Sequence, residues 1–470
     1  MVGAMSGTDD ANRSGTGATD DEDPRPGRPE DVGQLLGACL RAVGATRVFG
    51  ASSDGITGIP GLGHLRVDEP ALASLLADAA GRIGGGPGVA LLPGRRLRLS
   101  SAPGLRVAAP TVVADVTELP AAVASWTWGE VHAATELVLD VDLDAPVPEG
   151  VDPLVVDPAA GARAPVLSPD LAGTPLAVLA GPGVVRAGAV DALAAFARKV
   201  GAVVVNTWGA KGVFAWDDPH HGGTVGLQAG DLELAGITAA PLVLAVGLDA
   251  AELPGGGPLE ALVDGQVLHV EPWHLESLTW RWPEGDAPAP TERPALYAEL
   301  SAVIGPAYED DAVPLHPARA VRDLSVAARG ALVAADPGPA GFWVARAFPT
   351  PTTGAVVVPG TPAEGFAVAA GMVAGLDQRR SLAVVDGPVG ESTRALVELA
   401  SVVGSPVVVC EWGSDGHLPD ARAHRVALRE GLAAAGPTHV QVPVAVDDRA
   451  ALEALAGPVV AWGGPSSWSA

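Results

Sequence analysis

Cysteine, lysine and long apolar runs are what this sequence lacks. Two cysteines in 470 residues, Cys39 and Cys410, cannot build a disulfide framework, and neither stands in a CxxC or HxxC spacing that would hold a metal. Both lie in apolar segments and read as small buried hydrophobes. Lysine occurs only at Lys199 and Lys211, and 29 basic residues face 55 acidic ones for a formal net charge of -26. So acidic a surface repels nucleic acid and anionic membrane, although one local basic pocket could still hold an anion. No apolar run approaches the roughly 20 residues that cross a bilayer. The N-terminal stretch "MVGAMSGTDDANRSGTGATDDEDPRPGRPE" has no hydrophobic h-region, so it reads as a disordered tail over residues 1–30, and a cytoplasmic protein is expected.

What is present is enough to fold. The chain is 48% hydrophobic and long enough for two or three domains. Its 60 glycines and 43 prolines are interleaved with apolar segments rather than collected in linkers. In residues 31–146, "DVGQLLGACLRAVGAT" has helical apolar spacing and leads to the strand "RVFGA"; "EPALASLLADAAGRIG" and "GVALL" repeat the order. Helix then strand, twice, predicts an α/β layer with mostly parallel strands. "PGRRLRLSSAPGLRVAAPTVVADV" has turn signals but little room for helix. "ELPAAVASWTWGEVH" reads as helix and "ELVLDVDL" as a closing strand.

A Pro- and Gly-rich linker at 147–171 leads to a second unit at 172–325, which opens on a strand, the glycine turn "GPGVVRAG", a helix and another strand. That turn lacks the full GxGxxG fingerprint and an acid about 20 residues on, which argues against a nicotinamide dinucleotide site. A third unit, 326–470, contains "ALVAADPGPAGFW", "VPGTPAEGFAVAAG" and "SLAVVDGPVGESTRALVELASVVGSPVVVCEWGSDG". The fold expected is α/β, three consecutive open, mainly parallel domains.

The order of these units resembles the thiamine diphosphate enzymes of the acetolactate synthase, pyruvate oxidase and benzoylformate decarboxylase type, over residues 31 to about 460. The stretch from "VLAGPGVVRAG" to "HHGGTVGLQAGDLELAG" carries it most clearly. The resemblance implies a pyrimidine-binding first domain, a central domain and a diphosphate-binding third domain. It also implies a homodimer or homotetramer, with thiamine diphosphate and Mg²⁺ as cofactors if the site is intact and none if it is not.

Residue by residue, the resemblance places Glu69, in "VDEPALAS", as the carboxylate that hydrogen-bonds the aminopyrimidine, with Asp68 where a histidine usually stands. A carboxylate near an apolar ring pocket gains basicity from its low-dielectric setting. Read alone, Glu69-Pro70 is an ordinary helix start. Gly338, Gly360 and Gly387 would let the backbone approach the cofactor. Glu364 falls near the position of a large apolar wedge, where a charge fills space poorly. Asp386 and Glu411 would be the metal ligands, Asp386 in a signature whose preceding glycine is Val385, and Glu411 with Trp412 in place of two asparagines. Their plainer reading is that Asp386 caps the following loop or helix and Glu411 ends a strand. Neither "AVVDGPVGE" nor "VVVCEWGSDG" contains a basic residue to offset the charge. After "GVALL" the chain is several tens of residues shorter than the family pattern, on the substrate side of the pocket.

Other candidates have bland readings. His220 and His221, in a Pro-Gly loop, read as structural or solvent-facing rather than as a metal pair. Trp126, Trp128, Trp280 and Trp282 read as core or interface packing, and Arg95, Arg96 and Arg98 as compensation for local acids. Three functions remain open: a decarboxylase or carboligase acting on a small 2-oxo acid, a non-catalytic binding or scaffold homologue without the coenzyme, or a subunit that needs a protein partner to complete its pocket.

Overall fold

A computed structural model describes residues 28–53, 55–103, 106–107, 109–128, 133–154, 165–168, 171, 174–283, 292–413 and 417–468. The tail expected at 1–30 lies outside these residues except for its last three, as do residues 155–164, 169 and 170 of the linker expected at 147–171. Three sheets follow one another along the chain.

The first contains β1 (Arg47–Phe49), β2 (Gly63–Leu65), β3 (Gly88–Leu92), β4 (Arg96–Ser100), β5 (Arg106–Val107), β6 (Thr111–Val113) and β7 (Ala133–Leu139). Their order is β2-β1-β3-β4-β7-β5, with β6 also paired to β7. Helices α1 (Val32–Ala42), α2 (Pro70–Gly84) and α3 (Leu119–Ala124) pack with it. The β1–β2 and β1–β3 pairs are parallel, whereas β3–β4 and β4–β7 are antiparallel. The departure from a parallel layer lies where the chain is short: Pro93-Gly94-Arg95 turns β3 straight back into β4, with Gly94 at φ 77° and Arg95 at φ 54°. Such left-handed turns match the twist of a hairpin, so an antiparallel ribbon takes the place of a longer crossover.

The second sheet, β8 (Leu176–Ala180), β9 (Val204–Thr207), β10 (His221–Val225), β11 (Leu242–Val246) and β12 (Gln266–Val270), is parallel in the order β10-β9-β8-β11-β12. Its helices include α4 (Val190–Val200), α5 (Leu275–Arg281) and α6 (Ala295–Ile304). The third sheet, β13 (Leu332–Ala335), β14 (Val356–Val357), β15 (Ser381–Asp386), β16 (Val408–Trp412) and β17 (Thr438–Val442), is parallel in the order β14-β13-β15-β16-β17. Around it stand α7 (Pro317–Ala327), α8 (Pro339–Ala347), α9 (Phe366–Leu376), α10 (Glu391–Val403), α11 (Ala421–Ala433) and α12 (Ala450–Ala456). The near-continuous apolar runs "LVLAV" and "LAVV" are the composition that a strand covered on both faces requires.

Helix α9, "FAVAAGMVAGL", is apolar all round and buried from Phe366 to Gly375, because it lies between the third sheet and α2 of the first domain. Leu72 and Leu76 of α2 share one core with Phe366 and Met372. Burying each such side chain stabilises the fold by about 2 kcal/mol. Arg346 on α8 joins the third domain to the central one, donating to Thr224 O at 2.9 Å and to both oxygens of Asp231 at 2.7 Å. Thr361 Oγ1 donates to Pro103 O at 2.9 Å, holding the loop between β14 and α9 against the first domain.

Candidate functional site

In a parallel sheet the strand carboxyl ends and the amino ends of the following helices gather at one edge, where unsatisfied backbone N–H groups favour anions. In the third domain those helices are α8, α9 and α10, and each has a carboxylate of the chain at its start. Asp386 Oδ1 accepts from Ala340 N at 2.9 Å, at the start of α8. Asp336, just past β13, accepts from Gly365 N at 2.8 Å and Ala367 N at 2.6 Å, at the start of α9. Glu364 Oε1 accepts from Thr393 N at 3.1 Å, in the first turn of α10.

Glycines make room for these acids. A Cβ at Gly338, whose φ is 135°, would collide with Asp386 Oδ2, and one at Gly390 would collide with the Glu364 carboxylate. At Gly387 a Cβ would lie 2.8 Å from Glu411 Oε1. Glu411, buried on β16, is in turn held by His439 Nε2 at 2.7 Å and by Gln441 Nε2 at 3.4 Å. The structure thus brings Gly338, Glu364, Asp386, Gly387 and Glu411 to one edge. Asp386 and Glu364 each accept from a backbone N–H at a helix start, but Asp386 does so at α8, which precedes it in the chain, and not at the following loop or helix.

This rim is strongly acidic. Burial pushes Asp336 up to about 7 against the pull of its two backbone N–H partners, with Asp386 and Glu364 adding to the rise. Burial likewise pushes Asp386 up to about 7, and Asp447 adds to it. Within the Gly387–Gly390 loop, Val389 O accepts from the exposed Arg394 at 2.6 Å. Among the described residues no group of three or more His, Cys, Asp or Glu side chains is arranged to hold a metal ion.

The remaining two expected residues lie elsewhere. Glu69 is exposed at the start of α2 and makes no side-chain cap. Next to it a cavity of about 170 Å³ opens at the carboxyl edge of the first sheet, lined by Ser52, Ser53, Val67, Asp68, Pro70 and Leu91. Gly360 faces the central domain, where a Cβ would lie 2.5 Å from Glu252 Oε1; a Cβ at Gly209 would collide with the same atom. Glu252 is fully buried, accepts from Thr207 Oγ1, and has its pKa raised by burial first and by Asp249 second. Arg82 of α2 reaches this point and donates to Gly209 O, and Arg186 pairs with Asp249 at 2.6 Å. Nothing in the sequence periodicity singles out Glu252 or Arg82, because their meeting point exists only once three domains are docked.

Several plainer readings are also settled. Arg96 pairs with Glu136 at 2.9 Å and Arg98 with Asp78 at 3.2 Å, so the basic cluster does compensate local acids. His221 is not a loop residue: it opens β10 and is buried. Trp282 packs edge-on against Phe196, at 5.2 Å between centroids, and Trp126 joins the first core. Trp280 is instead 84% exposed, because Leu275 and Leu278 take the inward face of the short α5. The Trp128 side chain lies outside the described residues. The "GPGVVRAG" turn serves packing: a Cβ at Gly183 would lie 2.8 Å from Gly247 Cα, in the neighbouring turn after β11. Cys39 and Cys410 are buried free thiols. Among the described residues no helix is long and apolar enough to cross a membrane.

Residues 172–276 match the family model described as thiamine pyrophosphate enzyme, central domain. The middle of this chain is similar to the thiamine diphosphate enzymes. A solved structure from Mycobacterium smegmatis, described as a "putative thiamin diphosphate-dependent enzyme", superposes with a TM-score of 0.63 over 88% of this chain and 99% of that one, at 17% identity. That likeness extends the thiamine diphosphate enzyme fold to all three domains. No curated protein matches the sequence. The two findings together support this family without selecting a subtype.

The edge residues do not suit thiamine diphosphate with Mg²⁺. The helix amino ends are already committed to Asp336, Glu364 and Asp386, and the charges acting on Asp336 and Asp386 are further carboxylates. A diphosphate would add negative charge to that rim, and Glu364 would bring charge where the coenzyme rings need apolar support.

Proposed function

We propose that this protein is a non-catalytic binding or scaffold homologue that keeps the three-domain body of the thiamine diphosphate enzymes. The carrying observation is the occupation of three helix starts by Asp336, Glu364 and Asp386. The third domain satisfies with its own carboxylates the N–H groups that would otherwise attract phosphate. Decarboxylation or carboligation of a 2-oxo acid depends on the bound coenzyme as electron sink, so the same carboxylates count against that reading.

A second reading, that of a partner-dependent subunit, draws support from the first domain. There the exposed Glu69 stands beside the 170 Å³ cavity, at the start of a helix with no side-chain cap. That half of a site is open to another chain. A homodimer would offer it only a second self-capped third domain, whereas a different protein could bring an intact one.

Calorimetric titration with thiamine diphosphate, with and without Mg²⁺, separates these readings. The proposal expects no heat of binding from the folded protein at millimolar coenzyme. Metal-dependent binding that is lost in Asp386→Ala would overturn it. Light scattering on the same sample reports whether the chain forms the homo-oligomer that its fold suggests.

A further inference from the structure

Among the described residues, the less conspicuous of the two lysines has no ion-pair partner. Lys211 lies in the segment between β9 and β10, 2% exposed, and its Nζ has no hydrogen-bond partner. The charged side chain acting on it is Arg346, a second cation already paired with Asp231. Its one favourable neighbour is the Trp216 ring, 5.2 Å from Nζ to the centroid. Beside that ring lies His221, 3% exposed, with neither ring nitrogen bonded, its centroid 5.5 Å from Trp216 and 6.0 Å from Tyr297. Arg293 stacks over Tyr297 at 4.1 Å. Four basic side chains thus surround a patch in which Asp231 is the acid paired, and it is spent on Arg346.

A buried ammonium without a hydrogen-bond partner is strongly penalised, and a cation–π contact offsets part of that penalty. Among the described residues no carboxylate pairs with Lys211, so the compensation has to come from outside or the amine has to lose its proton. We propose that Lys211 Nζ and the adjacent His221 form a buried site for a small monoanion, a halide or a one-carbon carboxylate. Trp216, His221 and Tyr297 are in ring-to-ring contact, at 5.0 to 6.0 Å between centroids, so they wall the patch and admit nothing as large as a nucleotide or a diphosphate. Burial, with Arg346 adding, pushes Lys211 down to about 7, so an anion at Nζ would decide whether the amine keeps its proton near neutrality.

The site would also fasten a seam. Gly212 O accepts from Gly354 N at 3.0 Å, and Trp216 N donates to Thr350 O at 2.9 Å, so the segment carrying Lys211 rests directly on the third domain. An anion binding the docked arrangement stabilises it by mass action.

The test is crystallographic and thermal. Crystals grown with sodium bromide should show an anomalous peak within roughly 3.5 Å of Lys211 Nζ, the reach of a charge-assisted contact to a large anion. In solution, exchanging gluconate for bromide or formate at constant ionic strength should raise Tm by about 2–4 °C, and Lys211→Met should abolish the rise. A response to bromide marks a halide, and a response to formate alone marks a carboxylate. No anomalous peak and no Tm response to either anion would overturn the site, as would an equal response in Lys211→Met. Should that variant fail to fold, the anomalous map and the formate titration on the natural protein still decide.

Discussion

Glu364 and Thr393 are joined across 29 residues by one hydrogen bond, the Thr393 amide donating to Glu364 Oε1 at 3.1 Å. The side chain expected to stand against a cofactor is instead the cap of α10. Replacing an acceptor at such a position costs about 1 kcal/mol. Glu364→Ala should therefore destabilise the third domain by about that amount, with Glu364→Gln recovering part of it. Urea unfolding followed by the fluorescence of the buried Trp343 and Trp412 checks this. An unchanged midpoint in Glu364→Ala would mean that the cap has no weight in solution.

Gly360 and Glu252 provide a sharper test because they belong to different domains. A Cβ at Gly360 would lie 2.5 Å from Glu252 Oε1, closer than real Cβ contacts come, so Gly360→Ala should destabilise by about 1–3 kcal/mol. Glu252→Ala opens the space while removing the acceptor of Thr207 Oγ1. The two changes should couple by about 0.5–3 kcal/mol in a double-mutant cycle, with the double variant more stable than the sum of the singles. Simple additivity would place Gly360 away from Glu252.

How far these features were legible beforehand depends on the distance over which they form. The strands "GVALL", "LVLAV" and "SLAVVD" and the helices between them show in the apolar pattern, since burial on both faces of a parallel strand leaves a continuous run. The gathering of Asp386, Gly387 and Glu411 at one edge follows from strand order. What those carboxylates hold does not. Whether Asp386 meets a metal or the amide of Ala340 depends on a helix start 46 residues away, and Gly360 looks like any loop glycine until Glu252 is folded over it. Lys211 left a faint trace, as a lone lysine among the small residues of "WGAKGV" in a chain that otherwise uses arginine.

Protonation should tune stability. Asp336 has its pKa raised from 3.8 to about 7 by burial, facing Asp386 and Glu364. The native protein therefore holds a proton that the unfolded chain releases above about pH 4. The stability from this proton is full below the unfolded pKa and lost as pH rises through about 7. Denaturation midpoints should fall from pH 6 to pH 8, in the same direction as the self-repulsion of a net charge of -26. Asp336→Asn, which cannot release the proton, should make that slope shallower. A slope that is the same in Asp336→Asn as in the parent would show that the carboxylate is ionised in the native state.

Arg82 tests whether the first domain is held by burial alone. Its guanidinium leaves α2, reaches Gly209 O in the central domain and acts on the fully buried Glu252. Burial, with Arg186 adding, pushes its own pKa down to about 10, so Arg82 still carries its charge at neutral pH. Arg82→Met keeps most of the volume but leaves Gly209 O without that donor and Glu252 without one of its two compensating cations. Removing one side of a buried charged interaction costs about 3 kcal/mol. Because α2 also packs on α9, the loss should loosen the first domain before the other two unfold. Limited proteolysis should then cut Arg82→Met in residues 28–150 at protease levels that leave the parent chain whole. If the variant resists like the parent, the α2–α9 core alone holds the first domain and Arg82 merely fills space. If cleavage begins equally in all three domains, the Arg82 contact supports the whole assembly rather than one seam.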